Sequence, residues 1–171
     1  FLLVFVNKNH LKTIIFIFTC FLIGMVSEIL GVNSGVIFGD YNYGAALGYK
    51  IFGVPILIGV NWAILTISCS ALSATLFEKI YSKIIMGVFL MVMLDAVIEP
   101  IAPILDFWEF DGGKAPLKNY LGWIIVAFPL NCIYHILKIK VNGSFTHHLY
   151  ILFILFFSIL LLQLNTLKNL I

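Results

Sequence analysis

Long apolar runs, separated by short polar stretches, set the pattern of the chain. The first runs from about Leu11 to Leu30 and stays apolar until Ser27 and Glu28. The second runs from about Gly53 to Phe77. The third runs from Ile84 to about Leu105 and contains Pro100 and Pro103. The fourth covers about Asn119 to Ile139, and the fifth His148 to about Leu167. Each has roughly the 20 residues that a helix needs to cross the hydrocarbon of a bilayer. The pattern predicts an all-α polytopic membrane bundle of about five transmembrane helices, with residues 1–171 forming one integral membrane domain. Between the first two runs, Gly31 to Gly44 is rich in glycine and tyrosine and has no helical period. It reads as an ordered, partly inserted loop, because such backbone is tolerated at membrane depth only where protein or a cavity satisfies it. The apolar stub Phe1 to Val6 reads either as the tail of a sixth helix preceding Phe1 or as a loose start. It is too short for the apolar region of a signal peptide. There is no internal repeat and no low-complexity linker.

Composition strengthens the membrane reading. Of 171 residues, 62% are hydrophobic and 11% charged, against about 25% charged in a soluble domain. A soluble globule of this size needs a more polar exterior than that. The net charge of +2 is carried by ten lysines and no arginine; it is too weak and too dispersed for nucleic-acid binding. Cys20, Cys69 and Cys132 lie inside apolar runs and read as small core residues rather than as disulfide partners or zinc ligands. His10, His135, His147 and His148 show no metal-ligand spacing, so no metal is expected. No phosphate loop, nucleotide fingerprint, activated nucleophile or histidine-rich di-iron pattern occurs.

The lysines set an orientation. Lys8, Lys12, Lys79, Lys83, Lys138 and Lys140 fall on one set of connections, and Lys50, Lys114, Lys118 and Lys168 on the other. The positive-inside rule makes the first set cytoplasmic, in what is expected to be a bacterial inner membrane. Most of the unusual polar residues then lie towards the opposite face. Glu28 stands about 24 Å along the first helix from Lys12, and Asn61 and Trp62 about 12 Å below the start of the second. Asp95 and Glu99 are one helical turn apart and share a face. The loops add Asn33, Asp40, Tyr41, Tyr43, Asp106, Trp108, Glu109 and Asn119, with Trp123 just inside the fourth run.

An acid near the middle of a membrane helix costs about 2.5–3.5 kcal/mol unless it is paired, protonated or faces a cavity. Two on one face repel if both ionise, so one is expected to keep its proton near neutral pH. The structural alternative is that Asp95 and Glu99 bind lysines or the carbonyls freed at Pro100. Glu28 reads equally well as a ligand for backbone amides of the glycine-rich loop. Asp106, Glu109 and Asp111 read as a solvated rim, and Trp108 and Trp123 as interfacial anchors or pocket walls.

The run Glu28-Ile29-Leu30-Gly31-Val32-Asn33-Ser34-Gly35, continuing through Phe38-Gly39-Asp40-Tyr41-Asn42-Tyr43, resembles the membrane carotenoid-biosynthesis proteins of the CruF (bisanhydrobacterioruberin hydratase) type. So do Gly53-Val54-Pro55 with Asn61-Trp62, and Leu94-Asp95-Ala96-Val97-Ile98-Glu99-Pro100. Asp106-Phe107-Trp108-Glu109-Phe110 and Pro116-Leu117-Lys118-Asn119-Tyr120-Leu121-Gly122-Trp123 complete the series. The resemblance covers about Glu28 to Trp123. It implies a cofactor-free carotenoid 1,2-hydratase (a hydro-lyase), adding water across the terminal double bond of an acyclic carotenoid end group to give a tertiary alcohol.

The residues suit that chemistry. An alkene is protonated by a carboxylic acid, and the tertiary cation then captures water. Asp95 or Glu99 is the expected donor, with the other, or Glu28, placing the water. Trp62 and Trp108 are candidates to face the cation, with Asn33, Asn61 and Asn119 as polar positioners and Tyr41, Tyr43 and Trp123 as further substrate contacts. The expected partners are the carotenoid, the lipid membrane and other enzymes of the pathway. Three other readings stay open: a proton-initiated carotenoid cyclase, a small membrane transporter or binding subunit with a proton relay, and a scaffold for pathway enzymes. Product mass separates the first, because hydration adds a water and cyclisation is isomeric. Transporters of the second kind often carry repeats, and loss of hydration on mutating the acids excludes the third.

Overall fold

The computed structural model describes residues 10–168. The stub, on which the alternative of a sixth helix rests, and Lys8 lie outside the described residues. Five helices carry the chain: α1 (His10–Ser34), α2 (Ile56–Leu76), α3 (Ile80–Ile98), α4 (Leu117–Ile136) and α5 (Gly143–Lys168). Short strands β1 (Tyr41–Tyr43), β2 (Lys50–Ile51) and β3 (Val54–Pro55) lie between α1 and α2, and β4 (Trp108–Phe110) between α3 and α4. This is the expected all-α bundle. Helices α1, α2, α3 and α5 are long and apolar enough to cross a membrane. The fourth expected span is a helix in the right place, but Asn119, Pro129 and Asn131 interrupt its apolar run, and it is not among those four. Large apolar side chains cover the outside, among them Ile125 at 68% and Phe89 at 55% exposure. A soluble surface rarely carries such a continuous apolar coat, whereas lipid solvates it.

Helix α2 is the hub, packed on α1, α3, α4 and α5. Its small residues, Ala63, Ser70, Ala71 and Ser73 among them, are buried and let neighbouring backbones come close, which is how helices associate where water supplies no driving force. Ser70 Oγ donates to Asn131 Oδ1 at 2.7 Å, and Asn131 Nδ2 to Ala127 O at 2.9 Å, joining α2 to α4. Tyr150 Oη donates to Leu90 O at 3.0 Å, joining α5 to α3. Cys20 and Cys69 are buried free thiols, as expected of small core residues.

Helices α3 and α5 begin earlier than the sequence suggests, at Ile80 and Gly143, and two further differences, at helix C-termini, shape the site. Helix α1 runs on past Leu30 to Ser34, through Gly31. Gly31 is there for closeness rather than for a turn: a Cβ on it would stand 2.6 Å from the Phe38 ring and 2.9 Å from Tyr41 Oη. Helix α3 stops at Ile98, short of the expected Leu105. Pro100 and Pro103 lack the N–H that would continue the ladder, and the chain descends in turns, with Ile101 N donating to Ile98 O at 2.8 Å and Phe107 N to Ala102 O at 2.9 Å.

Those turns deliver β4 antiparallel to β1, in the register Tyr41↔Phe110, Asn42↔Glu109 and Tyr43↔Trp108. The glycine- and tyrosine-rich loop is therefore partly a strand of a ribbon lying across the bundle end. Side chains alternate across such a ribbon: Asn42 and Glu109 are exposed, while Tyr41 and Phe110 are buried. Gly44 N donates to Phe107 O at 2.9 Å and Ala45 N to Asp106 Oδ2 at 2.8 Å, pinning the edge of the ribbon. Lys50 Nζ donates to Tyr43 O at 2.5 Å from the β2–β3 hairpin.

Candidate active site

Under the ribbon, where α1 and α3 end and α2 and α4 begin, is a cavity of about 70 Å³. It has room for a few waters or one small group, not for a long chain. Its polar wall holds three carboxyls, Glu28, Asp95 and Glu99, and two amides, Asn61 and Asn119; the rest is aromatic and aliphatic.

Glu28 is buried at 5% exposure and both its oxygens are engaged. Tyr41 Oη and Tyr43 Oη donate to Oε2 at 2.5 and 2.7 Å, and Trp62 Nε1 donates to Oε1 at 2.9 Å. The structural alternative for Glu28, backbone amides of the loop, does not apply; side chains of the loop take that place. Burial, and then the Glu28 carboxylate beside them, push both phenols above the ordinary tyrosine range, so both stay protonated as donors. The Trp62 ring also stacks on Trp123, with centroids 4.3 Å apart and 21° between planes. Trp62 reaches Glu28 because α1 presents Gly24 to it, where a Cβ would lie 2.5 Å from Trp62 Cγ.

Asp95 and Glu99 lie one turn apart on the last turn of α3 and its cap, close enough to share one donor. Asn119 is buried in the first turn of α4, and its Nδ2 donates to Asp95 Oδ2 at 2.8 Å and to Glu99 Oε1 at 3.1 Å. Trp108 Nε1 adds a longer bond to Glu99 Oε1 at 3.3 Å. Asp95 is buried, whereas Glu99 is half-buried. No lysine pairs with Glu28, Asp95 or Glu99 among the described residues, so the alternative of lysine partners does not apply.

Of the residues singled out in the sequence, Glu28, Tyr41, Tyr43, Asn61, Trp62, Asp95, Glu99, Trp108, Asn119 and Trp123 line this one cavity. Asn33 does not join them. It is exposed and donates to Ile29 O at 2.8 Å and Phe52 O at 3.1 Å, tying α1 to the β2–β3 hairpin. Glu109 and Asp111 are exposed, as a solvated rim requires; Asp106 is exposed too, but also holds the ribbon. Sequence reasoning missed the apolar lining. Phe38 and Phe110 close the cavity beside Tyr41, and Ile58, Leu65 and Ile98 complete it. Strand alternation would have found Phe110, which sits two residues from Trp108 and so on the same face. Nothing local marks Phe38.

The arrangement presents proton-bearing groups to an apolar, aromatic-walled space. It can offer a proton to a weak base, and indole faces to a cation that results. The family described as carotenoid biosynthesis protein matches residues 2–170. Neither the curated proteins nor the solved structures give a match. Residues that converge in one cavity here are those on which the sequence resemblance rested, and the match extends beyond them over almost the whole chain: the protein belongs to the carotenoid biosynthesis protein family, with a role in carotenoid biosynthesis.

Proposed function

We propose that the protein is a carotenoid hydratase, adding water across the terminal 1,2 double bond of an acyclic carotenoid end group. The observation that carries this reading is the Asp95–Asn119–Glu99 clamp, two carboxyls held by one amide in a cavity whose remaining walls are largely apolar. Like charges at this separation in a low-dielectric space cannot both persist, so the pair shares a proton. Glu99 Oε1 accepts two N–H donors and Asp95 Oδ2 one. More donors favour charge, so the charge belongs on Glu99 and the proton on Asp95.

In the proposed reaction the alkene π pair takes the Asp95 proton at the less substituted carbon. A C–H bond forms and a tertiary cation remains, faced by the indoles of Trp62 and Trp108. The oxygen of a water molecule closes on the cation, and the proton it sheds returns to the carboxylate pair. The acid is restored, the atoms balance, and no cofactor is called for. Glu28, anchored by three donors, contributes fixed negative charge on the far wall, where it opposes the positive charge as it develops. A chamber of this size suits an end group, with the remaining polyene in lipid.

The test is expression in a lycopene-producing bacterium with mass analysis of the extracted pigments. The expected result is pigment heavier by one water for each end converted, lost in the Asp95→Asn variant. An isomeric, ring-bearing product would transfer the assignment to the cyclase reading. An unchanged profile with lycopene and with its acyclic derivatives would overturn both.

A further inference from the structure

Among the described residues, the polar side chains of the cavity wall with no hydrogen bond to protein are Asn61 and Trp123, and of these only Asn61 carries an acceptor, an indole N–H being a donor alone. The others are committed: Tyr41, Tyr43 and Trp62 to Glu28, and Trp108 and Asn119 to the carboxyl pair. Asn61 sits on α2 beside Trp62, half-buried and towards the cavity. A primary amide carries an acceptor oxygen and two N–H donors, and leaving these unmet in a cavity is costly.

We infer that Asn61 holds the water that becomes the hydroxyl of the product. The inference rests on the hydratase reading and adds to it the residue that decides what the cation does. Asn61 Oδ1 accepts one hydrogen of the water, which turns a lone pair of the water oxygen towards the cation carbon; a C–O bond forms, and the remaining excess proton goes to Glu99. Without that water the cation has two balanced exits. It can lose a proton from the carbon that gained one, or from a neighbouring methyl group, and return to an alkene. Otherwise it can be captured by a double bond further along the same chain, closing a ring whose new cation then loses a proton to the carboxylate pair. Asn61 thus separates hydration from isomerisation and cyclisation at one common acid.

The experiment uses membranes containing the full chain, incubated with an acyclic carotene in deuterium oxide. Wild type is expected to give hydrated product carrying deuterium. Asn61→Leu, which keeps the branching and the heavy-atom count and removes the amide, is expected to lose hydrated product by about 10²-fold. Its recovered carotene should still gain deuterium at the terminal carbons, because protonation by Asp95 persists. Asn61→Asp, isosteric and able to accept, should recover part of the hydration. A merely structural role would depress deuterium uptake and hydration together, and that result in a variant with wild-type thermal stability overturns the inference. Hydration at the wild-type rate in Asn61→Leu overturns it too. If wild type itself makes no hydrated product, the hydratase reading fails first, and this assignment fails with it.

Discussion

Asn119 donates its amide to Asp95 Oδ2 at 2.8 Å, and the same nitrogen reaches Glu99 Oε1 at 3.1 Å. One side chain from α4 therefore sets the spacing of two acids on α3. Replacing it by leucine removes both donors and leaves the carboxyls to settle their repulsion by rearranging. Asn119→Leu is expected to lower kcat for pigment conversion by about 10²–10⁴-fold, the range of a lost general acid. Turnover in membranes from equal amounts of folded protein checks this. A variant that turns over like wild type would show that the carboxyls hold their geometry unaided.

Trp62 does two things at once, donating to Glu28 at 2.9 Å and stacking on Trp123 at 4.3 Å. Trp62→Phe keeps an aromatic face but loses the N–H together with the five-membered part of the indole. The donor to a charged group is worth about 1.5–3 kcal/mol, so stability falls by that order while the ring still faces the cavity. Trp123→Leu is the converse, losing the stack, worth about 0.5–1.5 kcal/mol beyond buried area, and sparing the bond to Glu28. Thermal melts of the two variants should therefore differ, with Trp62→Phe the less stable.

Tyr41 and Tyr43 give a pH dependence whose sign follows from their surroundings. Burial and the Glu28 carboxylate raise both phenols in the folded protein, while in the unfolded chain they titrate at about 10. The stability they contribute is complete below about 10 and is lost as pH climbs towards the folded-state values, because only the unfolded chain can then release the proton. Alkaline unfolding should begin just above the ordinary phenol value. Tyr41→Phe and Tyr43→Phe should each flatten that limb of the stability curve, measured by helix content against pH.

Much of this was legible in the sequence because apolar length and buried charge are local signals. Asp95 and Glu99 are read from their own helix, and Glu28 and Trp62 from their depth along α1 and α2. Residues on the β1–β4 ribbon were named as candidates, but the ribbon itself was not visible. Tyr41 and Phe110 pair across nearly the whole central chain, and three-residue strands carry no period to detect. The end of α1 was misread because Gly31 ordinarily signals a stop, whereas here it makes room for Phe38. Asn33 was placed with the site through its neighbours in sequence, yet it lies at the end of α1 and turns to the carbonyl of Phe52.

Gly24 offers a test of how closely α1 must approach α2. A Cβ there would stand 2.5 to 2.7 Å from three atoms of the Trp62 side chain, including its Cβ and Cγ. These atoms sit near the α2 backbone and cannot swing aside as a flexible tip could. Gly24→Ala is expected to push the helices apart or turn the indole away from Glu28, costing about 1–3 kcal/mol as overpacking does. Activity should fall with stability. A variant that melts and reacts like wild type would mean that α1 and α2 are spaced more loosely than the geometry requires.

Asn131 supplies the counterpart, a buried polar residue that holds the bundle without lining the cavity. It accepts from Ser70 Oγ at 2.7 Å and donates to Ala127 O at 2.9 Å, three helical turns along α4 from Asn119. Bonds of this kind between membrane helices are worth about 0.6–2 kcal/mol, and truncation also leaves the Ser70 hydroxyl without its acceptor. Asn131→Ala should therefore lower the melting temperature while kcat per folded molecule stays at the wild-type level, the reverse of Asn119→Leu. Measuring both quantities in both variants separates the two asparagines. If Asn131→Ala abolished turnover in fully folded protein, the polar contact between α2 and α4 would have to reach the reacting end of the bundle, and the division drawn here between scaffold and site would fall.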